Sequence, residues 1–336
     1  MEKENRLGNQ EALREGVVEA ETKPHYNIYI TRHAERLPSG ELTPEGIAHA
    51  KAKGEAFKNA EVLKQYASDH PSGRAYETAQ NIGGEAGIAS PQTGELYKTK
   101  KVKGIQYDQL PPNVLKDAKL LIEQATLAEI YNEHAELAAS INNAIDKDST
   151  GLMIKKDATG QPMVDIEKLP KDIQLQIGPI RQKHQKEGFQ QVIENPEAVE
   201  NLASGLSHQL IEKQEILARY ASGREQKNKP AKKDVVININ THGLFAESLF
   251  KRAGIFVSAD GTETQGIDNL DTLDFGGYLQ PAQSIILDLG TDPNNIPERI
   301  PVIFEGRKIN GQVFLDKSKL AELDQDYRLA HKSEKK

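Results

Sequence analysis

Arg32, His33 and Arg36 crowd together directly after the run "NIYIT", and His242 directly follows the run "VVININT". Two guanidinium groups this close to one imidazole repel each other unless an anion sits among them. A guanidinium stays charged and presents a planar fork that matches the oxygens of a phosphate. A neutral imidazole is a competent nucleophile toward phosphorus and forms a covalent intermediate. A third segment, "ASDHPSGRAYETA", adds Arg74 at the opening of a helix. Three Arg side chains would bind a dianion and neutralise the charge that builds up in phosphoryl transfer. The residue types point to chemistry on a phosphate group, with one imidazole attacking and the other donating to the equatorial oxygens.

That chemistry requires the three loops to meet. Residues 26–31 read as a buried strand, and "DVVININTHG" as another, with β-branched residues in succession at 235–237. His33 and His242 would each lie just past the carboxyl end of a strand, the edge where open α/β sheets form ligand sites. "LTPEGIAHAKAKGEAF" starts a helix, with Thr43 as N-cap, Pro44 at the first position and Leu42 stapled onto Ile47. Residues 61–68 read as a strand, "GRAYETAQNIGGEAG" as a helix ended by glycines, and "KVKGIQYD" as a third strand. "SIILDLG" and "PVIFEGRKINGQVFL" supply further strands, the latter as a hairpin turning at Asn310-Gly311. Between them, residues 113–145 carry apolar positions at helical spacing, and a second helical block opens at Asn195-Pro196. Strands alternating with helices imply a three-layer α/β/α sandwich with a mainly parallel sheet. Residues 25–110 and 234–328 form the expected core and 111–233 a large helical insertion over the site. Polar segments 1–24 and 329–336 flank them as a flexible arm and a charged tail.

Composition narrows the alternatives. The 336 residues are 37% hydrophobic and 28% charged, with a net charge of −7, 5% aromatics and no Trp. An acidic balance and few aromatics argue against a nucleic-acid partner, which needs a basic face and stacking platforms. Cys is absent, which excludes disulfides, thiolate catalysis and Cys-based zinc sites. The polar start "MEKENRLGNQEALREGVVEAETK" is not expected to be a signal peptide, and no apolar run approaches a membrane span. A cytoplasmic protein without a membrane partner is the expectation. No Gly-x-x-x-x-Gly-Lys loop occurs, and "GGEAG" lacks the spacing of a dinucleotide fingerprint. A metal held by His33 and His242 would be opposed by the neighbouring arginines, so no metal and no cofactor are expected.

The same residues carry a family resemblance. "RHAER" resembles the Arg-His-Gly-x-Arg signature of the histidine phosphatase superfamily, also called phosphoglycerate mutase-like. "LTPEGIAHA" resembles its Leu-Thr-x-x-Gly helix start, "SDHPSGRAYETA" its Ser-x-x-x-x-Arg-Ala-x-x-Thr-Ala segment, and "NTHG" its late Ser/Thr-His-Gly. All stand in the family's order and cover about 30–82 and 235–250, leaving the middle of the chain unmatched. The resemblance implies that His33 is the phosphorylated nucleophile and His242 the second pocket histidine. It likewise makes Arg32, Arg36 and Arg74 the phosphate-binding arginines.

Three departures stand out. Ala34 replaces the usual Gly, residues 70–73 reshape the loop before Arg74, and Gly243 stands where acid phosphatases of the family carry Asp. The general acid must then come from elsewhere. Asp108 at the end of the third strand is the first candidate, with Glu123 and Glu129 on the following helix as alternatives. The expected function is hydrolysis of a phosphomonoester, in a small molecule or a phosphoprotein, through phosphohistidine at His33. A mutase-type phosphotransferase and a phosphate-binding interaction protein with little catalysis are the alternatives. Oligomeric state is not legible.

Overall fold

A computed structural model describes residues 23–68, 73–87, 112–147, 153–156, 162–268 and 279–331. Among them run β1 (Tyr26–Arg32), α1 (Pro44–Phe57), β2 (Glu61–Ala67), α2 (Arg74–Glu85), α3 (Pro112–Glu133) and α4 (Ala135–Lys147). A small hairpin, β3 (Met153–Lys156) and β4 (Pro162–Val164), precedes a 3-10 turn at Ile166–Lys168 and two long helices, α5 (Lys171–Glu194) and α6 (Pro196–Gln226). The chain then gives β5 (Val235–Thr241), α7 (Gly243–Ala253), β6 (Gly254–Ser258), β7 (Glu263–Gln265), β8 (Ser284–Asp288), β9 (Arg299–Phe304), β10 (Gly311–Asp316) and α8 (Lys317–Ala330).

Eight strands form one mixed sheet in the order β2-β5-β1-β8-β9-β10-β6-β7. Only β5 pairs in parallel, with β1 and with β2; the other pairings among the described strands are antiparallel. The expected mainly parallel sheet is therefore corrected to a mixed one. The physical reason lies in the connections. A parallel crossover needs a dozen or more residues, and β6 to β7 and β9 to β10 are joined by four and six residues, too few for anything but a hairpin. The β9–β10 turn is also wider than a tight Asn310-Gly311 turn, because Gly311 is already the first residue of β10.

Alternation along β5 divides the interior. Val235, Ile237 and Ile239 join a large apolar cluster with α6, α7 and α8, whereas Val236 joins Ala34, Leu42, Ala50, Phe57 and Ile82 beneath α1 and α2. The second helical block thus packs on the sheet through Val199, Leu202, Leu206 and Leu217 of α6. Helices α3, α4 and α5 share a cluster of their own around Ile130, Ile141, Ile166 and Ile177. The helix expected over 113–145 is interrupted at His134, although hydrogen bonds from His134 to Ile130 and from Ala138 to His134 carry the ladder through.

Local signals explain the element bounds. The Thr43 side chain accepts from the Gly46 amide and Asn195 from that of Ala198, each with Pro following at the first helical position. Gly83 and Gly84 lie inside α2, and Gly87, at φ +67°, follows its end. Helix α5 lies within the expected helical insertion but has no side-chain N-cap, and α8 is capped by Asp316 directly after β10. The third strand expected at 101–108 lies outside the described residues.

Gly46 has a tighter reason to be glycine. A Cβ there would stand 2.3 Å from the carbonyl oxygen of Glu35, in the loop that follows His33. Gly46→Ala is expected to destabilise the fold by roughly 1–3 kcal/mol, the usual cost of overpacking. Gly83→Ala, at a helical position with open space around it, should be neutral or stabilising by up to about 1 kcal/mol. Urea unfolding of both variants checks the pair, and equal effects would contradict the contact.

Candidate active site

The register of β1 against β5 builds the centre. Arg32 is the partner of Thr241, so His33 and His242 are the next residues on adjacent parallel strands. The His33 amide also donates to the Thr241 carbonyl at 2.8 Å. Neighbouring strands lie about 4.8 Å apart, and the two imidazole centroids are 5.1 Å apart at 67°. The two rings meet at one sheet edge, as the sequence implies.

Hydrogen bonds fix each ring's tautomer. His33 Nδ1 lies 2.8 Å from the carbonyl oxygen of Ala34, which only accepts. The proton therefore sits on Nδ1, and Nε2 of His33 carries the lone pair. His242 Nδ1 accepts from Nε of Arg74 at 3.2 Å. Neutral His242 is then protonated at Nε2 and is a donor. Burial, chiefly, pushes both imidazoles well below the ordinary value of 6.5; Arg74 is the next cause in each case. Arg32 and Arg36 add to the depression.

The arginines are held in place. Arg32 Nη1 donates to the Leu279 carbonyl and Nη2 to Gln185 Oε1 at 3.1 Å, and its guanidinium lies 5.9 Å from the centroid of the Phe189 ring. Arg74 is the first residue of α2, with Gly73 as N-cap. Thr78, one turn on, donates to the Arg74 carbonyl at 2.7 Å and accepts from the Ala34 amide at 3.0 Å. That hydroxyl ties the loop after His33 to the helix that carries Arg74. Ala34 is fully buried and belongs to the apolar cluster under α1 and α2.

Two cavities open from this point. The first, about 270 Å³, is lined by Arg32, His33, Arg36, Arg74 and His242, by the start of α7 at Gly243, and by residues of α3 and α5. The N-terminus of α7 adds a favourable dipole for an anion. The second, about 600 Å³, shares Arg32, His33 and Arg36 and continues along Leu37, Pro38, Leu175 and Pro179. The first cavity's helical wall contributes Lys119, Ile122, Arg181, Gln185 and Phe189, none of which stands out in the sequence. One signal was present: Arg181, Gln185 and Phe189 recur every fourth residue, as one face of a helix.

The acid candidates separate. Asp108 and the 70–72 part of the reshaped loop lie outside the described residues. Glu129 binds Lys183 and His184, both at 2.8 Å, and these partners hold its pKa down; it lines neither cavity. Burial raises the pKa of Glu123 against the pull of Lys119 and Arg181, although its side chain is not among those lining the first cavity. Glu167 does line it and pairs with Lys119 at 2.8 Å. His184 and His208 are mostly buried and pair with Glu129 and Asp324. Among the described residues, the one group with spacing for a metal is Glu129, Glu133 and His134, which lines neither cavity. No described helix is long and apolar enough to cross a membrane.

No protein-family model and no curated protein matches the chain. Solved structures of a phosphoglycerate mutase, a phosphatase and a phytase do, at low identity. A phosphoglycerate mutase from Bacillus anthracis str. Sterne is 13% identical over 90% of this chain and 98% of that one, with a TM-score of 0.30. A mycobacterial glucosyl-3-phosphoglycerate phosphatase is 13% identical over 84% and 97%, at 0.33. A Hafnia alvei phytase bound to myo-inositol hexakis sulphate is 12% identical over 92% and 98%, at 0.41. At such values function must be argued from the pocket's own residues.

The depressed imidazoles have consequences for pH. A histidine whose folded pKa is lowered contributes stability that is present above its unfolded value, about 6.5, and is lost as the pH falls toward the folded value. At pH 6, where an ordinary imidazole is mostly protonated, nitrogen NMR is expected to show both rings neutral. The proton should be on Nδ1 in His33 and on Nε2 in His242. A charged His33 at that pH would contradict the site as described.

Proposed function

We propose that the protein is a phosphomonoester hydrolase that works through a covalent phosphohistidine on His33. The observation that carries this reading is the 5.1 Å pairing of two buried imidazoles at a sheet edge lined by three arginines. In the first step the Nε2 lone pair of His33 attacks phosphorus. The ester P–O bond breaks, its electron pair leaves with the alkoxide, and a carboxylic acid supplies the alkoxide's proton. Phosphorylated His33 is cationic, and its Nδ1–H keeps its bond to the Ala34 carbonyl throughout. Arg32, Arg36, Arg74 and the Nε2–H of His242 neutralise charge on the equatorial oxygens. In the second step water attacks phosphorus, its proton passes to the carboxylate, and the N–P electron pair returns to Nε2. The guanidinium groups supply the positive charge that a metal supplies in other phosphoryl-transfer sites, and the reaction is read as metal-independent.

The acid is assigned between Asp108 and Glu123, whose burial favours the protonated form a donor needs. We also read residues 111–233 as an insertion on an α/β/α core, in which α3, α4 and α5 enclose an apolar cluster of their own and α6 packs on the sheet.

A panel of phosphate esters, assayed with chelator and without any bisphosphate primer, tests the reaction. Wild type should release phosphate, and His33→Ala should lose roughly 1,000-fold or more. Acid-labile phosphate should accumulate on wild type alone. A primer requirement would make the enzyme a mutase, and equal activity of the two proteins would remove His33 from the chemistry. Leaving groups identify the acid. Replacing it by its amide should slow alkyl esters far more than p-nitrophenyl phosphate, whose phenolate departs without a proton. The comparison of Asp108→Asn with Glu123→Gln decides between them.

A further inference from the structure

The reading above uses three arginines and leaves a fourth unexplained. Arg181 comes from α5, is 8% exposed and lines both cavities. Its buried Nε has no hydrogen-bond partner among the described residues, and its guanidinium forms no ion pair there. Two carboxylates act on it through space, Glu123 and Glu167, and Arg74 repels it. Both carboxylates are already engaged by Lys119, Glu167 at 2.8 Å and Glu123 at 3.7 Å. A buried cation without a partner is costly, and burial accordingly lowers the pKa of Arg181.

Charge in the first cavity points the same way. Its lining includes Arg32, Arg36, Arg74, Lys119 and Arg181 against a single carboxylate, Glu167. One phosphate dianion facing the two imidazoles offsets only part of that excess. Arg181 also faces the larger cavity, which Arg74 and His242 do not line. It therefore stands at the junction, beside the space that the reacting phosphate leaves open.

We infer that Arg181 is a second anion-binding point, and that the substrate is a phosphate ester whose alcohol carries another anionic group, phosphate or carboxylate. This inference rests on the phosphohydrolase reading and names the class of ester that reading leaves open. Gln185, one helical turn away on the same face, already occupies one edge of Arg32 and leaves Arg181 to the second group.

A matched series tests it: propyl phosphate, 3-phosphonooxypropanoate and propane-1,3-diol bisphosphate. Wild type is expected to favour the two doubly anionic esters by tenfold or more in kcat/KM, and the better of them identifies the second group. In Arg181→Met the loss on the favoured ester should exceed the loss on propyl phosphate by about tenfold. No preference in wild type, or an equal loss on all three esters, would overturn the inference; the latter would place Arg181 on the reacting phosphate itself. Calorimetry with propane-1,3-bisphosphonate and propylphosphonate reads the same preference without turnover. An inactive protein that still prefers the bisphosphonate through Arg181 would refute the hydrolase reading and keep the subsite. Without ligand, Arg181→Met should melt at a higher temperature than wild type, because it removes a stranded charge. A lower melting temperature would mark Arg181 as structural and count against the subsite.

Discussion

The arrangement depends on the parallel, in-register pairing of β1 with β5. Side chains alternate across a strand, so a slip of one residue would turn every β5 side chain to the other face. Val235, Ile237 and Ile239 would leave the large cluster under α6 and α7, and His242 would leave the edge that His33 occupies. Apolar packing therefore sets the register, and the register sets the distance between the rings. No contact between the two imidazoles is needed to hold them together.

A buried polar row reinforces that pairing at the same depth in the sheet. Thr31 Oγ1 donates to Asn238 Oδ1 at 2.6 Å and meets Ser284 Oγ at 2.7 Å. Asn238 and Asn240 both donate to Gln65 Oε1, at 3.0 and 3.2 Å. Four neighbouring strands, β8, β1, β5 and β2, are thus tied across by side chains as well as by the ladder. A satisfied hydrogen bond adds only about 1 kcal/mol net, whereas leaving a buried partner unsatisfied costs about 1–3 kcal/mol. The row adds little to overall stability and a great deal to the penalty for a wrong register. It gives the reacting centre a fixed floor directly beneath His33 and His242.

How much of this was legible depends on which physical signal each part leaves in the chain. His33 and His242 could be placed because β1 and β5 are buried strands whose Ile and Val residues run up to the histidines, and Arg74 because it opens a readable helix. The direction of β8, β9 and β10 left no such trace. A run such as "SIILDLG" reports burial and not orientation, and that information lies in the connections. Helix α5 was hidden by Gly178, Pro179 and Gly188 and by its polar composition. Gly188 is there for packing: a Cβ would stand 2.5 Å from Ile122 of α3. The glycine that disguises α5 in the sequence is what lets it lie close against α3 and form the cavity wall. Helix α8, capped by the Asp316 side chain, follows β10 with no loop to announce it.

The division of labour follows from where each charge is anchored. Groups at the sheet edge are fixed by backbone geometry: Arg32 by the Leu279 carbonyl, His33 by that of Ala34, and Arg74 by its place at the start of a helix. The helical wall is anchored twice: Ile130, Ile141 and Ile177 of α3, α4 and α5 share a cluster of their own, whereas Ala118 of α3 and Val192 and Ile193 of α5 join the sheet's cluster. Gln185 adds a polar link between wall and edge, since its amide oxygen accepts from the guanidinium of Arg32. Placement of a group at phosphorus is therefore coupled to the seating of α5. A ligand that draws Arg181 inward acts on the same helix face, one turn away from the residue that aligns Arg32. On the proposed reading, binding energy from the remote part of the substrate would reach the reacting phosphate through one turn of helix and one amide.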